Sequence, residues 1–405
     1  MNLQGSTIFK IIKNVKILEL NLLKNITLAS FSLYFIFNFY DRSISNIFLL
    51  ATLLLCIINY KNLFSTIKSN IALVISIILF SVYISILGFQ HDSSLSELDN
   101  YYRFLLLLPL LLISLSESRI IGLIFISAIA AIIHSYTYHA FYGIHLYPEN
   151  VFRYQGTSSS AITYSIMCST LLMVCLYHIF YKANKSYHLI FSTVTFLILF
   201  MITETRGPLI GIVIASIYLS YAIKNKEETC ANYKAPLVFL SIFIISIMTI
   251  PNPVGERLKR MADINLANPA EIESSSLRER SYYLIYAIQE LKDNYIQGIG
   301  PQNVFTKMSQ SLEQQGIKNI TARDHVHNEF LDIALKFGLF SLILLFFIYF
   351  FIIKTKNTEH RVLLNILMIM LVSSQLTQSQ FAHHQVTTFF IALFYLLQSK
   401  GNFSR

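Results

Sequence analysis

Residues Arg323–Ser341 read RDHVHNEFLDIALKFGLFS and run without a break into the apolar stretch Leu342–Ile353. A polar, titratable head (Asp324, His325, His327, Asn328, Glu329, Asp332) is joined to a segment of membrane length. His327 and Gly338 lie eleven residues apart, close to three turns at about 3.6 residues per turn, so a continuous helix places both on one stripe. Leu331 and Ala334 complete it, and the small Ala334 and Gly338 would let a second helix approach closely. The simpler reading is a hydrophilic loop that happens to contain a histidine. The position of this head in the topology decides between them.

Working outward, the chain has 405 residues, of which 54% are hydrophobic and only 13% charged, with a mean hydropathy of +0.55. Soluble domains carry roughly 25% charged residues. Many apolar runs reach the length that crosses about 30 Å of hydrocarbon, so the expected fold is an all-α polytopic membrane protein. The first residues, with Lys10, Lys13 and Lys16, lack the short apolar core and small-residue site of a cleavable signal peptide. The net charge of +9 is not a sign of nucleic-acid binding, because much of it sits in short Lys-bearing loops of cytoplasmic character. Cys56, Cys168 and Cys175 fall in apolar runs and Cys230 in a Lys-containing loop, which suggests neither disulfide nor metal site.

Residues 1–20 resemble a short interfacial helix. Twelve spans are expected at 24–40, 44–60, 71–89, 101–116, 120–141, 160–181, 187–204, 207–223, 235–250, 331–353, 361–378 and 386–398. The loops alternate in character. One set holds Lys61, Lys68, Arg119, Lys182, Lys185, Lys224, Lys226, Lys234, Lys354, Lys356, Arg361, Lys400 and Arg405; the other, at 90–100, 142–159, the Thr203–Arg206 corner, 251–326 and 379–385, is poor in Lys. The twelve-span count puts the first set and both termini in the cytoplasm. The division is then a membrane region over 1–250, an outer, partly helical loop over 251–326, and a second membrane region over 327–405.

In the short outer loops the basic residues are Arg42, Arg103, Arg153 and Arg206, each near a span end. Arginine offers a planar fork suited to phosphate. For Arg42 and Arg103 snorkelling at helix ends is the better reading. Arg206, in the short turn Thr203-Glu-Thr-Arg-Gly-Pro208, is pinned at the interface. Arg153 precedes Gly156-Thr-Ser-Ser-Ser160, which reads equally as a helix cap or a phosphate-contacting turn. In the large loop nine basic and nine acidic residues cancel, so any role belongs to particular side chains. Ser276-Leu-Arg-Glu279 has the form of a capping box. It would open a helix with an apolar stripe of Leu277, Leu284, Ile288 and Leu291, ended by Gly298-Ile-Gly300-Pro301. A second helix is expected over 303–315, stopping at Gly316, and the whole would form a lid leading to His325–His327.

The pairs His325/His327, His383/His384 and His134/His139 lack HExxH or CxxC spacing, which argues against a metal site. No nucleophile elbow or Walker loop is present. What remains is a cleft where Arg side chains meet one or two His: groups that bind pyrophosphate and supply a general base near neutral pH.

At this point the residues match a family. His327-Asn328, nine residues, then Gly338 resembles the H-[N/S/Q]-x9-G-x-x-[G/T/Y] signature of the bacterial O-antigen ligases, with Ser341 departing from it at the last position. Thr205-Arg206-Gly207 looks like their T-R-[G/A] corner, and Ser276-x-x-x-Arg280 like their loop-helix motif; Arg153 before its polar turn is a looser match. The resemblance implies transfer of O-antigen polysaccharide from undecaprenyl pyrophosphate to lipid A–core, on the periplasmic face of a Gram-negative inner membrane. It implies no cofactor, metal or ATP, and inversion at the anomeric carbon. By it His327, Arg206 and Arg280 are the catalytic candidates, and Arg153, Asn328, His325 and Arg278 the substrate-binding ones. Partners would be the two lipid-linked glycans and membrane lipid, with no nucleic acid. An O-antigen polymerase or a protein O-oligosaccharyltransferase of the same superfamily is the alternative. Polymerases commonly show Arg-x10-Gly, whereas Tyr164 follows Arg153 and Gln289 follows Arg278 at that spacing. A transporter would need mid-span charges and paired broken helices. Lys336, with Asp332 one turn earlier, is the main mid-span charge, and no half-to-half repeat appears.

Overall fold

The computed structural model describes residues 21–142, 156–158, 160–203, 205–226, 232–249, 275–317, 320–354 and 360–398. The expected interfacial helix over 1–20, together with Arg153, Cys230 and the first part of the large loop, lies outside them. No strand occurs among the described residues. In chain order the helices are α1 (21–37), α2 (Arg42–Ile58), α3 (Tyr60–Ser69), α4 (Ile71–Gln90), α5 (Leu95–Leu106), α6 (Glu117–Tyr142), α7 (Ala161–Leu176), α8 (Tyr187–Ile202), α9 (Gly207–Lys224) and α10 (Ala235–Thr249). After the loop come α11 (Ser275–Asn294), α12 (Asn303–Gln314), α13 (Glu329–Phe337), α14 (Leu339–Ile353), α15 (Arg361–Gln375) and α16 (His384–Gln398). Local chemistry sets several starts. The Asp41 carboxylate accepts from the Ser43 and Ile44 amides at α2, Ser94 and Glu97 form a capping box at α5, and Pro208 occupies the first turn of α9, where its missing N–H costs nothing.

Among the described residues four helices are long and apolar enough to cross a membrane: α4, α6, α7 with its continuation to Tyr181, and α9. A fifth exists if α2 and α3, bent by 89° at Asn59, form one span. Helices α8, α10, α14 and α15 are apolar but shorter; a 15-residue helix reaches only about 22 Å. Helix length therefore supports a polytopic all-α protein with four to five candidate spans among the described residues, and the expected count of twelve goes beyond that. Three expected spans are interrupted for identifiable reasons. The one at 44–60 turns at Asn59. The one at 101–116 ends as α-helix at Leu106, because Pro109 opens a tight 3-10 segment, Leu108–Leu112, buried in the bundle. The one at 331–353 breaks at Gly338.

Contacts between loops sort the helix ends into two groups. Thr157 donates to the Asn38 carbonyl (2.6 Å), Arg42 meets His384 (3.3 Å), Ser93 donates to Gln302 (2.6 Å) and His91 meets the Gln297 carbonyl (3.2 Å). These are the Lys-poor loops. At the far ends of α7 and α9, Lys182 approaches Glu117 (3.6 Å) and Lys226 donates to the Tyr181 carbonyl (3.2 Å). Helix α9 lies along α15 and α14 along α4, and one apolar core runs through the bundle. A separate small core belongs to α11 and α12, and on α11 it is Tyr283, Tyr286 and Ala287 that enter it. The expected stripe is not the buried one: Ile288 is 53% exposed. Aromatic rings one turn apart outcompete the aliphatic row because they fill the space over α13. Ser276 lies within α11 rather than at its cap, whereas α12 ends at Gln314 before a left-handed Gly316 as expected.

The break between α13 and α14 is the pivot. Gly338 has φ 76° and ψ 168°, and a Cβ there would collide with the Ile296 carbonyl. The expected role of Gly338 as a small face between two helices is thus replaced by a conformational one. The loop backbone after α11 lies against it: Leu339 N donates to Tyr295 O (2.8 Å), Ile299 N to Leu335 O (2.8 Å) and Gly300 N to Lys336 O (3.1 Å). Gly338→Ala should lower stability by roughly 1–3 kcal/mol for the left-handed backbone alone, and more once the loop is forced off. Thermal unfolding in lipid nanodiscs, with protease sensitivity at 295–300, measures it.

Candidate active site

The imidazole of His327 stands one residue before the Asn328 cap of α13, not on the helix. Its φ is 55°, a conformation costly for a side chain with a Cβ, so the expected His327–Leu331–Ala334–Gly338 stripe does not form. Local bonds hold the turn. Asn328 Oδ1 accepts from Leu331 N (3.1 Å) and its Nδ2 donates to Leu376 O (3.2 Å). Asp332 Oδ1 accepts from Val326 N (3.1 Å) while its Oδ2 takes the Lys336 ammonium at 2.7 Å. Both Asp332 and Lys336 are buried. Glu329 Oε2 accepts from Phe381 N (2.8 Å), tying the same helix to the segment before α16. Asn328 and Asp332 thereby fix the backbone on either side of the imidazole, and the two polar ends of Asn328 are taken up by the scaffold.

The ring itself is half-buried. Nδ1 lies 2.9 Å from Gln378 Oε1, and among the described residues Nε2 has no hydrogen-bond partner. Tyr283 of α11 stacks on the ring at a centroid distance of 5.8 Å and an interplanar angle of 25°, its hydroxyl anchored to Thr321 O at 2.6 Å. His325 sits edge-on at 4.5 Å, bonded to Asp324 (2.6 Å), and its ring also approaches His383 at 6.0 Å. Burial, with His325, Arg280 and Arg323 acting in the same direction, pushes the His327 pKa down to about 3, against the upward pull of the Gln378 bond. The imidazole is therefore neutral at pH 7 and able to accept a proton. The Asp324 carboxyl is held well below its ordinary value by the His325 hydrogen bond. Burial takes His383 down to about 4.

Arg280 lies on α11 one turn before Tyr283 and is close enough to His327 for its charge to act on the ring. Arg278 is two residues away, about 200° around the helix, and so leaves that face. Arg206 is the half-buried residue preceding α9. Behind it Thr203 and Thr205 share a hydroxyl bond of 2.9 Å; Glu204 lies outside the described residues. A Cβ on Gly207 would stand 2.9 Å from Thr377 Oγ1. The Arg206 corner thus leans on Thr377, and the neighbouring Gln378 holds His327.

Near Arg153 the polar stretch acts as a cap and tie. Ser160 accepts from Thr163 N (3.3 Å), Ser158 bonds Thr163, and Thr157 reaches α1. Arg42 and Arg103 do not snorkel freely. Arg103 binds Asp99 (2.6 Å) and Thr388 (2.9 Å), and Arg42 meets His384, so both are drawn to the first turn of α16. Gln378, Tyr283 and Arg323 were missed by sequence reasoning, and His383 was weighed only as a metal ligand. The signal for Gln378 was the run Ser373-Ser-Gln-Leu-Thr-Gln-Ser-Gln380 closing an apolar helix, where amides are expensive without partners.

The double duty of Asp332 can be separated. Lys336→Met should cost about 3–5 kcal/mol by stranding a buried carboxylate. Asp332→Leu combined with Lys336→Met should recover most of that, yet leave the Val326 amide without its acceptor. Hydrogen exchange at Val326 alongside thermal unfolding reads both effects.

No curated protein matches the chain. A protein-family model described as O-antigen ligase matches residues 191–346, from α8 into α14, a stretch that takes in Arg206, Arg280, His327 and Gly338. Over that stretch the chain is similar to the O-antigen ligase family, which supports membership of the O-antigen ligase/polymerase superfamily and a glycosyl transfer of its type, in a multi-pass membrane protein.

Proposed function

We propose that the protein transfers O-antigen polysaccharide from undecaprenyl pyrophosphate to lipid A–core, at the periplasmic face of the inner membrane, in a chain that crosses twelve times. The observation that carries this reading is a neutral imidazole, its Nε2 unengaged among the described residues, set beside guanidinium groups on a lid. The acceptor hydroxyl gives its proton to His327 Nε2 as its oxygen bonds the anomeric carbon. The bond from that carbon to the pyrophosphate breaks, and the electron pair leaves with the lipid-linked phosphate. Arg280 and Arg206, with Arg153, hold the departing charge. Asn328 serves by fixing the turn, and His325 by ordering the loop. The absence of Arg-x10-Gly after Arg153 and Arg278 favours ligase over polymerase.

The electrostatics add a condition. With a pKa near 3 the resting imidazole is a weak base. A bound pyrophosphate cancels the positive charge of Arg280 and Arg323 and raises that pKa, so basicity appears only when donor is present.

His327→Ala and Arg206→Ala should each leave the protein inserted while lipopolysaccharide capping stops, with transfer lowered on the order of a hundredfold or more for the base. Near wild-type capping in both would overturn the assignment. In a deletion strain, accumulation of long lipid-linked chains supports the ligase, whereas capping by single repeat units means polymerase. In purified components activity is lost as pH falls and His327 protonates. The acid limb of kcat, which reports the donor complex, should lie at higher pH than that of kcat/KM, which reports free protein.

A further inference from the structure

Gln378 is 2% exposed and bridges two imidazoles. Its Oε1 is 2.9 Å from His327 Nδ1 and its Nε2 is 2.7 Å from His383 Nε2. A carboxamide has one accepting and one donating end, so these contacts cannot be chosen independently. With the oxygen toward His327, Nδ1 carries the hydrogen, Nε2 carries the lone pair, and His383 Nε2 accepts from the amide. If the amide turned over, its N–H would donate to His327 Nδ1, the ring hydrogen would move to Nε2, and the free edge would offer a donor where proton abstraction needs an acceptor. The other restraints on this residue do not select a tautomer. Val326 N to Asp332 fixes the backbone, and Tyr283 stacking fixes the ring plane.

We propose that Gln378 is a positioning residue: it holds His327 as the Nδ1–H tautomer and so presents the Nε2 lone pair to the acceptor hydroxyl. The proposal rests on the general-base reading above. The groups facing His327 are Arg280 and Tyr283 from α11, Arg323 and His325 from the loop, and Gln378, backed by His383, from the segment after α15.

The test uses full-length protein in nanodiscs with 15N-labelled histidine, the His327 signals being identified by their loss in His327→Ala. At pH 7 the wild type should show a protonated Nδ1 and an unprotonated Nε2. Gln378→Leu should scramble that pattern and lower kcat for transfer from undecaprenyl-pyrophosphate glycan to lipid A–core by roughly ten- to a hundredfold, leaving donor KM unchanged. Gln378→Glu keeps an acceptor on Nδ1, so it should retain the tautomer and rescue turnover. Its carboxylate stabilises the imidazolium and should move the acid limb of the pH profile upward. Unchanged nitrogen signals in Gln378→Leu, or scrambled signals with wild-type kcat, would overturn the proposal. A wild type that transfers nothing while Gln378→Leu still scrambles the ring would instead overturn the general-base reading and leave the tautomer control standing.

Discussion

The last four carbonyls of a helix have no partners within it, and burying them unpaired is prohibitive. In α13 each finds a donor from a different place. Ala334 O is bonded by Gly338 N, Leu335 O by Ile299 N, Lys336 O by Gly300 N and Phe337 O by the Tyr83 hydroxyl. Meeting that requirement ties together the membrane helix α4, the loop after α11 and α13 itself. Gly298 belongs to the same seam, since a Cβ there would stand 2.5 Å from the Lys336 carbonyl. Two left-handed glycines, from the loop and from the helix break, let two backbones run close enough for the bonds to form. The seam sets where α11 lies, and therefore where Arg280 and Tyr283 meet the imidazole.

On that scaffold the polar groups inside the apolar mass serve two ends. The Asp332–Lys336 pair is a poor source of net stability, because desolvating two charges cancels most of their attraction. What it adds is geometry: the second oxygen of Asp332 orders the residue before His327. Glu329 does the same for the segment that leads from Gln378 to His383. The buried charges of α13 thus read as the framing of a site rather than as an ion pathway.

Much of this was legible in the chain. His327-Asn328 with Gly338 at its spacing, the Arg206 corner between two apolar runs, the stop at Gly316 and the Asp332 partner of Lys336 are all local patterns, and local patterns survive folding. Three things were not. Periodicity cannot distinguish a histidine on a helix from one held just before its cap at positive φ, so the stripe through Gly338 was plausible and absent. A proline such as Pro109 ends a helix without shortening the apolar run around it, so hydropathy alone does not show where a helix stops. Gln378 lies fifty-one residues from His327 in sequence, and nothing in either stretch names the other; only packing of α9 on α15 brings the corner and the imidazole to neighbouring residues.

The left-handed backbone at residue 327 carries one further implication. Glycine, or asparagine with its short side chain, suits that conformation better than an imidazole does, so the position sits above its own energetic minimum by an amount comparable to a sizeable share of a domain's net stability. Any selection for robustness alone, in the laboratory or in a lineage that has stopped using the protein, would drift toward those smaller residues and gain ruggedness at the expense of chemistry. On the proposed reading, an imidazole held in so uncomfortable a pose is kept for its reactivity.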